Sequence, residues 1–359
     1  MAEVKPFRAV RYGERAGPLE SLVAPPYDVI SPAGCEQLAE RNPHNVVHLT
    51  LPVDESAAGR AWRAWREHGE LVDEAGPGYW WLSQDYTGPD GVARVREGLV
   101  AALRAEPYES RVVLPHERTH RGPKEGRLRL LREVRAQLEP LFFLYEGRPP
   151  ARRPGREPDL EVEGARLWRL PPNGISEAFA DRQLLIADGH HRYETALAYH
   201  EEAGTPESGY VLAVLVSLED PGLMIFPTHR VFAQEPSERL AAHEEQQDVE
   251  AALGALDNVP PDLAAAVVYR DGRAGLAVDG EGELDVALVD RLGHEGISYT
   301  PDRDEAVRAV DSGEAEVAVL MRPTRIEDVF AVAQRGETMP QKSTYFYPKL
   351  VSGLLFLPL

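Results

Sequence analysis

A carboxylate, a glycine, two imidazoles and a guanidinium follow an apolar stretch in residues 184–192, LLIADGHHR. The apolar residues predict a buried strand, and the residues after them predict the start of a helix. Helix N-termini attract anions, a glycine lets a phosphate come close, and an arginine can bind it through two hydrogen bonds. We therefore predict a phosphate-binding loop formed by Asp188, Gly189, His190, His191 and Arg192. The simpler alternative is that Asp188 only caps the helix and the histidines lie on the surface.

A second group of polar residues lies in LPHERTHRGPKEGR, residues 114–127. Its HERTH portion matches the HExxH pattern, in which His116 and His120 would bind zinc and Glu117 would act as general base. That pattern requires a continuous helix. A proline before it and a Gly-Pro pair after it disfavour one. A zinc-dependent hydrolase therefore stays an alternative.

The same segment allows a different chemistry, with Glu117 as general base and Lys124 and Arg127 as anion ligands. These two cations belong to a basic run over residues 111–135, in a chain with a net charge of −20. A basic run in an acidic protein can hold a small anion, and the alternative is a helix face of ion pairs. The acidic total disfavours general nucleic-acid binding, because phosphate contacts need a basic surface.

Three further segments carry groups that suit a small polar substrate. KST at residues 342–344 of the tail offers an ammonium and two hydroxyls. PTHR at residues 227–230 ends a strand, and PPYD at residues 25–28 forms a rigid turn. We expect their polar residues to line the same cleft, namely Lys342, Ser343, Thr344, His229, Arg230 and Asp28. Each segment also has a structural interpretation: a packed aromatic tail, an edge-strand patch and an ordinary turn.

The composition is that of a globular protein. The 359 residues are enough for two or three domains, and 43% are hydrophobic and 27% charged. The single cysteine, Cys35, excludes internal disulfides and a cysteine metal cluster. No run predicts a membrane span, and the N-terminus lacks the apolar stretch of a signal peptide. These features predict a cytoplasmic protein.

Strands alternate with helices without a sustained βαβ rhythm, so we expect an α+β fold. We predict an N-terminal α/β extension over residues 1–105, a central domain over 106–235 and a C-terminal α/β domain over 236–359, whose tail returns to the cleft. Helices are predicted over residues 35–40, 57–68 and 124–138, and from the DGHHR segment to Gly204. Hairpins are predicted at YWWLSQDY–VARVREGLVAAL, YVLAVLVSL–LMIFPTHRVF and AVVYR–RAGLAV. A capping box from Thr324 to Glu327 predicts a further helix start.

Five motifs in order resemble family 1015 of the domains of unknown function over essentially the whole chain. They are PPYDVI, HERTHRGPKEGRL, ADGHHRYETAL, PTHRVF and MPQKSTYFYPK. More distantly, the chain after the N-terminal extension is similar to the archaeal ADP-dependent free-serine kinases, which have a ParB/sulfiredoxin-like core. LPHE, IADGHHRYETAL and MRPTRIEDVFAVAQRGETMPQKST carry this likeness. The resemblance implies a ParB/sulfiredoxin-like nucleotide-binding core with added N-terminal and C-terminal α/β domains.

The kinase resemblance also implies roles for individual residues. Glu117 would be the catalytic base, aided by His190, Arg192 and Lys342, while the DGHHR loop would hold the nucleotide phosphates. The loop Lys342-Ser343-Thr344 would bind a phosphate or the amino acid. The implied reaction moves a phosphoryl group between ADP or ATP, with Mg²⁺, and serine or phosphoserine, in either direction.

The sequence also departs from the kinases. Residues 1–105 have no counterpart in them, the basic run after Glu117 is absent from them, and Ser343 stands where they have threonine. These departures leave the donor nucleotide and the acceptor open. Two alternatives from other classes remain: a zinc-dependent hydrolase using His116, Glu117 and His120, and a noncatalytic nucleotide-binding sensor.

Overall fold

The computed structural model describes residues 1–117, 121–236, 238, 240, 244–281 and 283–359. Helices and strands are mixed along the chain, which confirms the expected α+β class. Among the described helices, none combines the length and the apolarity needed to cross a lipid bilayer.

The strands, in chain order, are β1 (Val4–Lys5), β2 (Val10–Tyr12), β3 (Leu71–Asp73), β4 (Tyr79–Thr87), β5 (Ala93–Arg104), β6 (Val113–Leu114), β7 (Ala136–Gln137), β8 (Leu141–Tyr145), β9 (Leu160–Val162), β10 (Ala165–Leu170), β11 (Leu184–Asp188), β12 (Tyr210–Ser217), β13 (Met224–Phe226), β14 (His229–Phe232), β15 (Glu244–Gln246), β16 (Leu263–Arg270), β17 (Arg273–Glu281), β18 (Ile297–Thr300), β19 (Val317–Leu320), β20 (Tyr345–Tyr347) and β21 (Leu357–Pro358). The α-helices are α1 (Pro32–Arg41), α2 (Val47–Thr50), α3 (Glu55–His68), α4 (Arg121–Val134), α5 (His190–Ala203), α6 (Val249–Asp257), α7 (Asp285–Asp290), α8 (Arg303–Asp311) and α9 (Ile326–Gln334).

A nine-stranded mixed sheet forms the centre of the molecule. Its strand order is β6-β11-β8-β12-β5-β4-β10-β9, with β1 beside β5. Strands β8 and β12 are parallel to each other and buried along their whole length. Alternate residues of β8 enter two different hydrophobic clusters, Phe143 in one and Phe142 in the other. Both faces of this sheet are therefore covered, as a continuous apolar strand predicts.

The large sheet continues across residue 105, where the sequence predicted a domain boundary. Strand β5 pairs with β4 on one edge and with β12 on the other, from Arg104 opposite Tyr210 to Leu99 opposite Leu215. The predicted hairpin of β4 and β5 is present. Its strands lie in the middle of the sheet, however, so residues 1–105 supply central strands of the structure.

Helix α3 packs against α4, and α4 packs against α5. Helix α3 begins at Asp54, whose carboxylate accepts the N–H of Ala57, and ends at Gly69 in the left-handed conformation. Helix α4 ends at Val134, earlier than predicted, because the next residues form β7 and pair with β21 near the C-terminus. Helix α5 ends at Gly204, as its stop signal predicted.

A second, six-stranded sheet has the order β15-β17-β16-β19-β14-β18. The predicted hairpin of β16 and β17 is confirmed. The predicted hairpin over YVLAVLVSL and LMIFPTHRVF is wrong. Strand β12 belongs to the large sheet, β13 pairs with β20, and β14 pairs with β18 and β19. The hairpin was predicted from residues close together in sequence, whereas these apolar strands are buried by pairing with strands that are distant in sequence.

The capping box predicted for α9 is also absent. The hydroxyl of Thr324 donates to the carbonyl of Ser343 at 2.7 Å, and α9 begins after Arg325 without a side-chain cap. The threonine therefore ties the start of α9 to the C-terminal tail.

Candidate functional site

The chain turns from β11 into α5 at Gly189. Its φ is 103°, and an added Cβ would lie 3.1 Å from Leu141 Cγ and 3.2 Å from Arg192 Nη2. Conformation and space therefore both require glycine here. Gly189 is the residue before the helix and offers no side chain to its first turn. Because N–H groups of a first turn have no acceptor inside the helix, this end of a 14-residue helix suits an anion.

Strand β11 ends at Asp188, whose carboxylate holds two cations. Oδ1 pairs with Lys349 Nζ, and Oδ2 pairs with Arg192 Nη2 at 2.9 Å. Burial opposes the charged form, but attraction to Lys349 and Arg192 keeps the pKa of Asp188 below its usual value. Burial likewise opposes the ammonium of Lys349, while Asp188 and Asp28 hold its pKa above the usual value. The three side chains form a charged cluster at the N-terminus of α5.

The guanidinium of Arg192 makes two hydrogen bonds within the protein. Its Nη1 donates to the carbonyl of Pro140 at 2.7 Å, and its Nη2 donates to Asp188. These bonds fasten α5 to the residue before β8. These bonds use two of the five N–H groups of the guanidinium, so the phosphate contact predicted for Arg192 stays a prediction, and Lys349 adds an ammonium at the same end of the helix.

Two buried histidines pack against this loop. In His116, Nδ1 lies 2.7 Å from the carbonyl oxygen of Ile186, and Nε2 lies 2.9 Å from Thr344 Oγ1. A carbonyl only accepts, so Nδ1 carries the proton and Nε2 accepts from the threonine hydroxyl. The backbone N–H of His116 donates to His190 Nε2 at 3.3 Å. Burial lowers the pKa of His116 to about 4 and that of His190 well below its usual value, so both rings are neutral.

These contacts leave the zinc interpretation without support. Both ring nitrogens of His116 are engaged, and His116 and Glu117 lie outside any helix, whereas the zinc pattern needs both on a helix. His120 lies outside the described residues. Within the described ranges, no group of three or more histidine, cysteine, aspartate or glutamate residues is arranged to hold a metal. His116 instead joins β11 to the C-terminal tail.

Glu117 faces the same cavity as the charged cluster. Burial raises the pKa of Glu117, and the ammonium and backbone N–H of Lys342 offset this shift only in part. A half-buried carboxylate with a raised pKa in a cavity is a candidate general base. The carbonyl of Lys342 accepts from Arg230 Nη2 at 3.5 Å, so Arg230 helps to hold the lysine beside Glu117.

One cavity of about 580 Å³ brings most of the predicted site residues together. This volume is in the range of small-molecule sites. The predicted residues that line it are Asp28, Glu117, Asp188, Gly189, His190, His191, Arg192, Lys342 and Thr344. The others are Tyr27, Val29, Ala187, Thr228, Tyr299, Pro301, Tyr345, Phe346 and Lys349. All three predicted parts of the chain contribute, and the cavity has charged groups beside aromatic rings.

Lys124 and Arg127 lie outside this lining. Lys124 pairs with Glu194 of α5. Arg127 donates to the carbonyl of Thr50 at 2.7 Å, and its guanidinium carbon lies 3.4 Å from the centre of the Tyr27 ring. Other members of the basic run pair with carboxylates of α3 and α5. This run is therefore a face of ion pairs, and Arg127 supports the back of the Tyr27 ring.

Ser343, His229 and Arg230 are also used inside the protein. The Ser343 hydroxyl donates to a carbonyl of its own loop at 2.6 Å, and His229 Nδ1 accepts a backbone N–H at 3.1 Å. Burial lowers the pKa of His229 to about 4. Arg230 donates to the backbone of Thr228 and of Lys342. These three side chains therefore stabilise the backbone around the cavity. The adjacent residues Thr228, Lys342 and Thr344 line it.

Sequence reasoning missed Lys349, Tyr27 and Tyr299. Lys349 had a usable signal, because it is one of four lysines in the chain and stands in an apolar tail, where a buried ammonium must be paired. Tyr27 lies next to the predicted Asp28. Tyr299 had no comparable signal, since it stands in a short strand of the second sheet.

The carboxylates of the cavity do not form a dedicated magnesium site. Both oxygens of Asp188 pair with cations, and Glu117 accepts from the backbone of Lys342. Asp28 is exposed and remains the carboxylate best placed to touch an arriving ion. Magnesium often binds through one or two carboxylates plus substrate phosphates. An ion here would therefore be held mainly by the phosphates of its ligand.

Comparison with known proteins identifies one family and several similar structures. The family described as "Protein of unknown function (DUF1015)" matches residues 4–310. No curated protein matches the chain. A structure described as free serine kinase in complex with AMP is similar at 17% identity and a TM-score of 0.40, over 66% of this chain and 83% of that chain. A conserved hypothetical protein from Pyrococcus furiosus is similar at 17% identity and a TM-score of 0.38, over 66% and 87%. SbnI with a C-terminal truncation, from Staphylococcus aureus, is similar at 12% identity and a TM-score of 0.42, over 70% and 85%.

Proposed function

The chain belongs to the DUF1015 family, whose description assigns no reaction, and we propose that it is a nucleotide-dependent phosphotransferase. One observation carries the proposal. A single cavity of about 580 Å³ contains a candidate base, Glu117, an anion-binding helix end and the ammonium groups of Lys342 and Lys349. Phosphoryl transfer requires positioning and charge stabilisation more than covalent chemistry, and these groups can supply both.

In this proposal the phosphates of ADP or ATP lie at the N-terminus of α5. The backbone N–H groups after Gly189 and the ammonium of Lys349 stabilise their charge. Asp188 positions Lys349 and Arg192 through its two ion pairs. His190 accepts from the backbone of His116 and so holds the residue before Glu117 in place. Magnesium would enter with the nucleotide, next to Asp28, and its charge would stabilise the transferring phosphoryl group.

The acceptor hydroxyl lies between Glu117 and the terminal phosphate. Its oxygen attacks phosphorus, Glu117 takes the hydroxyl proton, and the bond to the leaving phosphate breaks. ADP then leaves as AMP, or ATP as ADP, and the reverse reaction returns the proton from Glu117. We take a small hydroxy amino acid, serine, as the acceptor, and phosphoserine as the phosphoryl donor when the reaction runs in reverse. Asp28 would pair with its ammonium, to which the hydroxyl oxygen of Thr344 could also offer a lone pair, while Lys342 would bind its carboxylate.

The motifs that resemble the free-serine kinases in sequence support the same assignment. Glu117 comes from LPHE, the anion-binding loop from DGHHR, and Lys342 and Thr344 from KST, and these residues line one cavity. A ParB/sulfiredoxin-like core over the central strands is part of this proposal.

The test is Glu117→Gln, which keeps the size of the side chain and removes the base. Incubation with Mg-ADP or Mg-ATP and serine, followed by detection of AMP, ADP and phosphoserine, measures turnover. We expect a loss of at least roughly a hundredfold, with nucleotide affinity within about threefold of the wild type. Glu74→Gln is the matched control, because Glu74 is a glutamate that faces cations, Arg11 and Arg169, but lies outside the cavity. Full activity of Glu117→Gln would refute the assignment of the base. Nucleotide binding by the wild type without any phosphoryl exchange would identify a sensor instead.

A further inference from the structure

Arg96 is a buried cation in β5, within residues 1–105. Its side chain is 1% exposed, and its guanidinium carbon lies 4.5 Å from the centre of the Phe142 ring. Within the described part of the chain, its Nε and Nη1 atoms have no hydrogen-bond partner. A buried charge with unsatisfied donors costs stability. Fold stability alone therefore does not account for an arginine at this position.

The remaining nitrogen of Arg96 reaches the tail that carries Lys349. Nη2 donates to the carbonyl of Pro348 at 2.7 Å and to Gln84 Oε1 at 2.6 Å. Gln84 Nε2 in turn donates to the carbonyl of Lys349 at 3.5 Å. Arg96 and Gln84 thus bind the carbonyls of Pro348 and Lys349, which lie on either side of the Lys349 Cα atom.

We propose that Arg96, together with Gln84, is a positioning residue that fixes Lys349 at the phosphate end of the cavity. The consequence for binding rests on the proposed function, whereas the effect on Lys349 itself does not. A lysine side chain has a flexible four-carbon stem, so its ammonium is well placed only where the backbone is fixed. On this view residues 1–105 are an integral part of the site.

The first test measures the position of Lys349 without any nucleotide. The chain has four lysines, Lys5, Lys124, Lys342 and Lys349, so acetic anhydride labelling with mass spectrometry resolves each of them. We expect Arg96→Met to label Lys349 at least about threefold faster than the wild type, because the ammonium leaves its half-buried ion pair with Asp188 more often. Arg96→Lys should restore slow labelling in part, since one ammonium can reach both acceptors that Nη2 serves.

Two comparisons separate positioning from general loosening. Lys124, paired with Glu194 between α4 and α5, is the internal reference for the folded state. Arg104→Met, on the same strand but paired with Glu106, is the control variant. Unchanged labelling of Lys349 in Arg96→Met would overturn the proposal, and so would an equal rise at Lys124.

The second test measures ADP affinity by calorimetry in wild type, Arg96→Met, Lys349→Met and the double variant. Removing a charged hydrogen bond to phosphate should weaken binding roughly 10- to 100-fold in Lys349→Met. Arg96→Met should weaken binding about fivefold in the wild type and less than about twofold in Lys349→Met, because it acts through that lysine. Equal losses in both backgrounds would overturn the proposal. If the wild type binds neither ADP nor ATP, the proposed function fails, and the labelling result alone decides the role of Arg96.

Discussion

Replacement of Asp188 by asparagine removes the counter-ion of two half-buried cations. The carboxylate pairs with Lys349 through one oxygen and with Arg192 through the other. Asparagine keeps the shape but leaves a positive charge on each side without its partner, and an amide donor now faces one of the cations. Removal of one member of a buried charge pair typically costs about 3–5 kcal/mol. Because the three side chains keep 10–21% of their exposure, we expect Asp188→Asn to lose somewhat less, about 2–4 kcal/mol of the free energy of unfolding.

The control is Asp73→Asn, because Asp73 also pairs with an arginine. Its ion pair with Arg66 measures 2.8 Å, but both side chains are 37% exposed. Exposed pairs contribute roughly 0–1 kcal/mol, so this variant should lose less than about 1 kcal/mol. Urea unfolding followed by tryptophan fluorescence measures both variants, and Trp80 and Trp81 lie in the large sheet. A loss in Asp188→Asn no larger than that in Asp73→Asn would refute the reasoning that these three charges depend on one another for stability.

Two further predictions concern the same region. His116 has a pKa near 4 in the folded protein, against the usual 6.5, so the unfolded chain binds more protons between these pH values and stability falls as the pH is lowered through them. We expect this residue to account for roughly 3 kcal/mol of the loss, and His116→Gln to reduce the slope of urea-derived stability between pH 6.5 and 4, while His190 and His229 still contribute to it. An unaltered slope would contradict the neutral, buried assignment, and His68→Gln, at an exposed position, is the control for the substitution itself. Gly189→Ala should cost about 1–3 kcal/mol and weaken nucleotide binding, because φ is 103° and the new methyl meets Leu141. Gly204→Ala, at the other end of α5 with open space around it, should leave binding unchanged, and equal binding by both variants would count against an anion site at Gly189.

Local signals were sufficient to predict the loop that begins the site. The apolar run before Asp188 and the glycine after it identify a strand, a turn and a helix start, and the structure has all three. The same holds for the hairpin of β4 and β5 and for the stop at Gly204. In each case residues close in sequence determine the conformation, through turn geometry or helix capping.

The assembly of the site could not be predicted in this way. Whether Arg192 contacts a ligand or the protein depends on the carbonyl of Pro140, which is 52 residues away. Thr324 looked like a helix cap, yet its hydroxyl bonds to the carbonyl of Ser343. Charged and hydroxyl side chains have several possible partners of similar strength. The partner is chosen by which backbone groups become buried nearby, and that depends on the whole fold.

The same dependence on the whole fold explains why residues 1–105, which the sequence suggested to be an extension, contribute to the site. The half-buried cluster of Asp188, Lys349 and Arg192 costs desolvation free energy, and Arg96 adds a fully buried charge. Such costs can be met only next to a large apolar core, because hydrophobic burial is the main favourable contribution to folding. That core is the nine-stranded sheet, and β4 and β5 from residues 1–105 lie within it beside β12. The N-terminal segment therefore provides both the apolar burial that offsets the charged site and, through Arg96, a hydrogen bond that holds the tail next to Lys349.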